Sequence, residues 1–99
     1  MAVLPLRISD PAADDLRAIY TYGVENWGRV RSSFYIEAVT STIWSLAENP
    51  NLGIKRDELI AGIRSFVVRR HVVFYRLSEQ TLEIVRVLHA RQDVSAVFL

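Results

Sequence analysis

Apolar positions along the chain follow two different spacings, and the change falls near Pro50. Before it, apolar residues recur every three or four positions, the period of a helix buried on one face. Ser9-Asp10-Pro11 supplies an N-cap and a first-turn proline, and Asp14 and Asp15 follow, so a helix is expected to start here. Leu16, Ile19, Tyr20 and Gly23 form its stripe, with Gly23 allowing another helix to come close. Asn26-Trp27-Gly28 interrupts the pattern. A second helix is predicted from about Arg29 to Glu48, with Tyr35, Ala38, Val39, Thr42, Ile43 and Leu46 inward, and Asn49-Pro50-Asn51-Leu52-Gly53 stops it. The two helices form an antiparallel hairpin. Ahead of them, residues 3–9 read as a strand, and Pro5 places it at or near an edge.

From Ile63 onward the spacing is two. The segments IRSFVV, HVVFYRLS and TLEIVRVLH are β-branched and aromatic, and each reads as a strand. Arg69-Arg70 and Glu79-Gln80 are candidate hairpin connections, although neither carries the Gly or Asn of a tight turn. Two-residue loops set Tyr75 opposite Ile84, Arg76 opposite Glu83 and Arg64 opposite Tyr75, and the opposite charges of Arg76 and Glu83 favour that register. One sheet face then carries Ile63, Val67, Val72, Phe74, Val85 and Val87. The other carries Phe66, Val73, Leu77, Ile84 and Leu88, interspersed with Arg64, His71, Tyr75 and Arg86. One helical hairpin covers one face, and the first face, being cleaner, is expected to take it. The second is then either an exposed binding surface or is covered by the N-terminal strand or the C-terminal tail. Both readings stand open. The fold class is α+β: an N-terminal strand, a two-helix hairpin packed on a mainly antiparallel sheet, and a short C-terminal helix or tail.

Composition narrows the function classes. The chain has 99 residues, enough for one domain spanning 1–99. Hydrophobic residues make up 51%, which supports a core rather than a disordered tail. There is no cysteine, which excludes disulfides and a thiolate nucleophile, and two histidines without clustered carboxylates make a metal site unexpected. The net charge of +1 argues against a nucleic-acid-coating tail, and no strong direct nucleic-acid binding is expected, since strong binders carry a marked basic excess. No apolar run is long enough to span a membrane. MAVLPLRISD lacks the positive leader and long apolar run of a signal peptide, so a cytoplasmic protein is expected.

Candidate chemistry is sparse. No Gly-rich phosphate loop or helical His pair is present. His89, Arg91 and Asp93 follow the last strand and could form a proton-transfer group. The blander and preferred alternative has Asp93 pairing with Arg91 or capping a helix over 94–98, while His89 ends a strand with a structural hydrogen bond. Arg64, Arg69, Arg70, His71 and Arg86 could bind phosphate or carboxylate, or form a solvated rim, and Lys55-Arg56-Asp57-Glu58 reads as a solvated loop. Trp44, Ile36 and Ala47 lie on the flank of the second helix and Trp27 in the turn before it, either as core edges or as anchors for a partner.

The whole chain resembles the ParE branch of the RelE/ParE toxins of type II toxin–antitoxin modules. The resemblance is carried in order by LRISDPAADDLRAIYTYGVENWG, SLAENPNLGIKRDEL, GIRSFVVRRHVVFYR and LEIVRVLHARQD. It implies the same helical hairpin on an antiparallel sheet. ParE-type members poison DNA gyrase, whereas RelE-type relatives cut mRNA on the ribosome. The chain departs from the RNase pattern in having Lys55 as its one lysine and no His-Tyr pair near its end. Arg64, Tyr75, Arg86 and His89 could supply phosphodiester cleavage, but the register sets His89 on the opposite face from the other three. The expectation is therefore gyrase inhibition by binding, without catalytic residues, cofactor or metal, neutralised by a ParD-like antitoxin. Arg64, Phe66, His71, Val73, Tyr75, Ile84, Arg86, Leu88, Trp44 and Arg91 are the expected binding residues. A ribosome-dependent endoribonuclease and a non-toxic antitoxin-binding relative are the alternatives.

Overall fold

The computed structural model describes residues 3–98. Met1 and Ala2 of the leader reading, and Leu99 of the tail reading, lie outside the described residues. Chain order is β1 (Leu6–Ile8), α1 (Asp10–Trp27), α2 (Arg29–Glu48), β2 (Ile54–Lys55), β3 (Arg64–Val68), β4 (His71–Ser78), β5 (Thr81–His89) and α3 (Val94–Phe98). The five strands make one sheet in the order β1-β5-β4-β3-β2. β1 runs parallel to β5, and the other pairings are antiparallel.

Local chemistry sets the elements. The Ser9 hydroxyl accepts the Ala12 N–H at 3.1 Å and caps α1, and the same hydroxyl donates to the Val85 carbonyl at 2.8 Å, tying the cap to β5. Gly28, at φ 86°, ends α1 and begins α2, a backbone geometry that favours glycine. Gly23 meets Ser32 across the hairpin so closely that an added Cβ would lie 2.9 Å from the Ser32 Cβ. Ser32 in turn donates to the Tyr20 carbonyl at 2.7 Å. β1 is shorter than the 3–9 expected but does occupy the edge, and the Pro5 carbonyl accepts the Leu82 N–H. Ile54–Lys55 pairs with β3, so part of the expected solvated loop is an edge strand.

The registers Tyr75–Ile84, Arg76–Glu83 and Arg64–Tyr75 are all present. Beyond Ile84 the register slips. Phe74 faces Arg86, so Val85 is an extra residue in β5, a β-bulge. Side chains after it exchange faces, because the pleat has a period of two. Val87 moves to the side of Val73, and Leu88 to the side of Phe74.

The helices pack on the face opposite to the one expected. Val39, Ile43, Leu46 and Ala47 meet Val68, Val73, Tyr75, Leu82, Ile84 and Val87, with Phe66 partly buried beside them. Ala47 is thus core rather than flank. The cleanliness of the other face did not decide the packing, because the polar tips on this one find partners. The Tyr75 hydroxyl donates to the Pro50 carbonyl and accepts from the Gly53 N–H, both at 2.7 Å, and Arg64 donates to the Gly53 carbonyl. Buried polar groups that are satisfied in this way cost little. The face expected to take the helices is largely covered as well, with Val67 left exposed. Ile63, Phe74 and Leu88 lie under Leu59 and under Val94, Val97 and Phe98 of α3. Val73, Tyr75, Ile84 and Leu88 are therefore core residues, not a docking surface. The face whose cover was left open, carrying Phe66, Val73 and Ile84, is thus covered by the helices, neither exposed nor closed by the N-terminal strand or the C-terminal tail, and the C-terminal segment covers the face expected to take the helices.

Candidate functional site

The four residues considered for RNA cleavage are not brought together. Tyr75 is 1% exposed, and with Arg64 it holds the loop between α2 and β2. Burial pushes the Tyr75 phenol above its ordinary value, against the smaller opposing effects of the Gly53 N–H and Arg64. Arg86 sits just past the last pairing of β5 with β1 and forks onto Asp15 of α1 at 2.8 and 2.9 Å. The hydrogen bond to the Asp15 carboxylate, ahead of burial, raises the Arg86 pKa, so the guanidinium remains charged. Asp15 also accepts the Val87 N–H at 2.9 Å. Its carboxylate thus clamps the strand immediately after the bulge.

His89 lies elsewhere. The bulge sets it opposite His71, four residues along β4 from Tyr75, and on the same side as Tyr75 rather than opposite to it. The two imidazoles meet edge-to-face with centroids 5.2 Å apart, and Tyr35 of α2 meets His71 at 5.5 Å. The Tyr35 hydroxyl accepts the Arg70 N–H at 3.2 Å and shares a hydrogen bond with His71 Nδ1 at 2.5 Å. Burial first, then the neighbouring His89, lowers the His71 pKa, while Asp15 opposes them. His89 Nδ1 accepts the Arg91 N–H at 3.1 Å, and Asp93 accepts the Ser95 N–H at the start of α3. His89 thus ends β5 with a structural hydrogen bond and Asp93 caps α3, while the alternative pairing of Asp93 with Arg91 is absent among the described residues.

These groups line a cleft of about 590 Å³ between the helical hairpin, the β3–β4 turn and the end of β5. Tyr22 and Trp27 stand at its helical side, edge-to-face at 5.5 Å, and Arg31, Arg69 and Arg70 also line it. Sequence reasoning placed His71, Arg69 and Arg70 near the sheet but missed Asp15, Tyr35 and Arg31. Tyr35 was legible only as a member of the inner stripe, and its meeting with His71 depends on which sheet face the helices take. Among the described residues no group of three His, Asp or Glu side chains could hold a metal ion. No helix of the described residues is long and apolar enough to cross a membrane.

Comparison with known proteins decides the family. Residues 6–94 match the family described as the ParE toxin of the type II toxin–antitoxin system, parDE. The chain belongs to the ParE toxin family. It is 38% identical over 92 residues to Toxin ParE1 of Caulobacter vibrioides, covering 93% of this chain and 95% of that one. It is 34% identical over 88 residues to Toxin ParE1 of Mycobacterium tuberculosis, covering 88% and 90%. The fold of this ParE-family chain is similar to that in a solved chromosomal ParDE system from P. aeruginosa, with a TM-score of 0.77, 21% identity, and coverage of 88% and 96%. It is also similar to the fold in the toxin–antitoxin complex RelBE2 of Mycobacterium tuberculosis, with a TM-score of 0.63, 20% identity, and coverage of 89% and 99%. The chain is thus a ParE-type toxin of a type II toxin–antitoxin system, within the RelE/ParE superfamily read from its motifs.

Proposed function

We propose that this toxin inhibits DNA gyrase by binding it, works without a cofactor in the cytoplasm, and is silenced by a ParD-like antitoxin. The observation that carries the reading is the dispersal of Arg64, Tyr75, Arg86 and His89. Cleavage through a ribose hydroxyl needs base, acid and charge stabilisation within a few ångströms of one phosphate. Here two of the four anchor a loop, one is held by Asp15, and the fourth ends β5, opposite the first residue of β4. Inhibition by binding asks only that one enzyme conformation be held better than the others.

With both sheet faces largely covered, the helical hairpin is the better docking surface for the antitoxin. Val30 is 70% exposed, Phe34 66% and Trp44 53% on α2. Exposed apolar side chains on a helix suit an amphipathic segment that folds as it binds. In a supercoiling assay the purified toxin should inhibit gyrase, and the antitoxin should reverse the inhibition. Expression without the antitoxin should give filamentation and DNA-damage signalling. Prompt arrest of translation with cleaved mRNA, together with unimpaired gyrase, would sink the proposal.

A further inference from the structure

The cleft has a chemical bias that gyrase inhibition does not use. Arg7, Arg17, Arg56, Arg76 and Arg86 pair with carboxylates among the described residues. Arg31, Arg69 and Arg70, all in the cleft lining, have no carboxylate partner among the described residues. The one carboxylate in the lining, Asp15, is taken up by Arg86 and the Val87 N–H. His89 accepts the Arg91 backbone N–H at Nδ1, which leaves its Nε2–H as a donor, and His71 is engaged at Nδ1 by Tyr35. Neither Nε2 has a hydrogen-bond partner among the described residues. The polar lining therefore offers mainly donors and positive charge. The turn that presents two of the arginines holds Arg69 at φ 54°, a conformation unfavourable for a residue with a side chain.

Beside this donor cluster stand the partly exposed rings of Tyr22 and Trp27. An aromatic wall next to guanidinium groups matches a ligand with a flat ring and an anionic acceptor. A cleft of about 590 Å³ has room for one such unit. We propose that this cleft binds a nucleotide, its phosphate on Arg31, Arg69, Arg70 and the His89 Nε2–H, and its base against Trp27. The ligand is a free mononucleotide or the end of a single strand, since both carry the same phosphate and base. The low net charge of the chain is no obstacle, because the arginines away from the cleft are largely neutralised in ion pairs. The site is independent of the gyrase reading and would survive its failure.

The test is a titration of Trp27 fluorescence in a Trp44→Phe background, which leaves Trp27 as the single tryptophan. The probes are inorganic phosphate, adenosine, 2′-deoxyadenosine 5′-monophosphate and a 5′-phosphorylated pentathymidylate. The mononucleotide should quench saturably and bind at least about tenfold more tightly than inorganic phosphate or adenosine. The double variant Arg69→Ala, Arg70→Ala should lose about tenfold or more, as should Arg31→Ala, which alters a different element. Arg7→Ala, on the distant β1 edge, should bind as the parent does. Tighter binding of the pentanucleotide than of the mononucleotide identifies a strand end as the ligand, and equal or weaker binding identifies a free nucleotide. Absence of saturable quenching by both nucleotide probes overturns the proposal. So does equal affinity for inorganic phosphate, or full affinity in folded variants of both arginine sets.

Discussion

At the residue scale, two side chains that looked chemical in the sequence are structural supports. The Tyr75 hydroxyl bridges the Pro50 carbonyl and the Gly53 N–H. Tyr75→Phe leaves both without that partner and should cost about 1–3 kcal/mol in urea denaturation. His71 gives a pH signature. Its pKa in the fold lies below the ordinary 6.5, so the unfolded chain binds its proton more readily. The contribution of His71 is thus fully present above pH 6.5 and is lost as pH falls from there through the lower folded value. Melting temperature measured against pH should fall across that window in the parent and more shallowly in His71→Gln. These roles were hidden from the sequence for a common reason. A tyrosine or histidine at a given register position has the same letter whether its tip meets a loop carbonyl, a neighbouring hydroxyl or water.

At the element scale, almost every boundary was legible because each rests on local chemistry. α2 spans the residues that the Gly28 and Pro50 punctuation marks out, and β3 to β5 follow the period of two. The Val85 bulge was not legible, because no glycine marks it and the flanking pairs on its N-terminal side are in register. Face assignment therefore failed only downstream, at Arg86, Val87, Leu88 and His89. The turns were found despite lacking the usual residues, and they carry the cost. Glu79 and Gln80 both have positive φ, at 51° and 63°. Replacing them with Asn-Gly should raise stability by about 1 kcal/mol in thermal or urea melts. α3 depends on a single packing surface. The Phe98 ring meets Phe74 with centroids 5.0 Å apart. Phe98→Ala should cost about 1–3 kcal/mol and expose the Ile63–Phe74–Leu88 cluster, detectable as increased binding of a hydrophobic dye.

At the scale of the whole molecule, the sheet is covered on both sides, and what remains for partners is the hairpin surface and the cleft at its end. The sequence pattern showed that the sheet was apolar on two sides, but a single count of helices could not say that five C-terminal residues were sufficient to close one of them. Phe34 and Trp44 are exposed and outside both core clusters. The double variant Phe34→Ala, Trp44→Ala should thus melt within about 0.5 kcal/mol of the parent. The same variant should bind the antitoxin at least about tenfold more weakly in calorimetry, which separates docking from folding.

The pairing of β1 with β5 joins residues 76 positions apart, Arg7 to Glu83 among them. A ribosome that has released only residues 1–50 has made both long helices and none of the surface they rest on. The first strand waits for a neighbour encoded 76 codons later. Harmful activity in such a chain begins only after β5 has emerged, which gives an inhibitor already made in the cell time to be waiting when the toxin first takes shape.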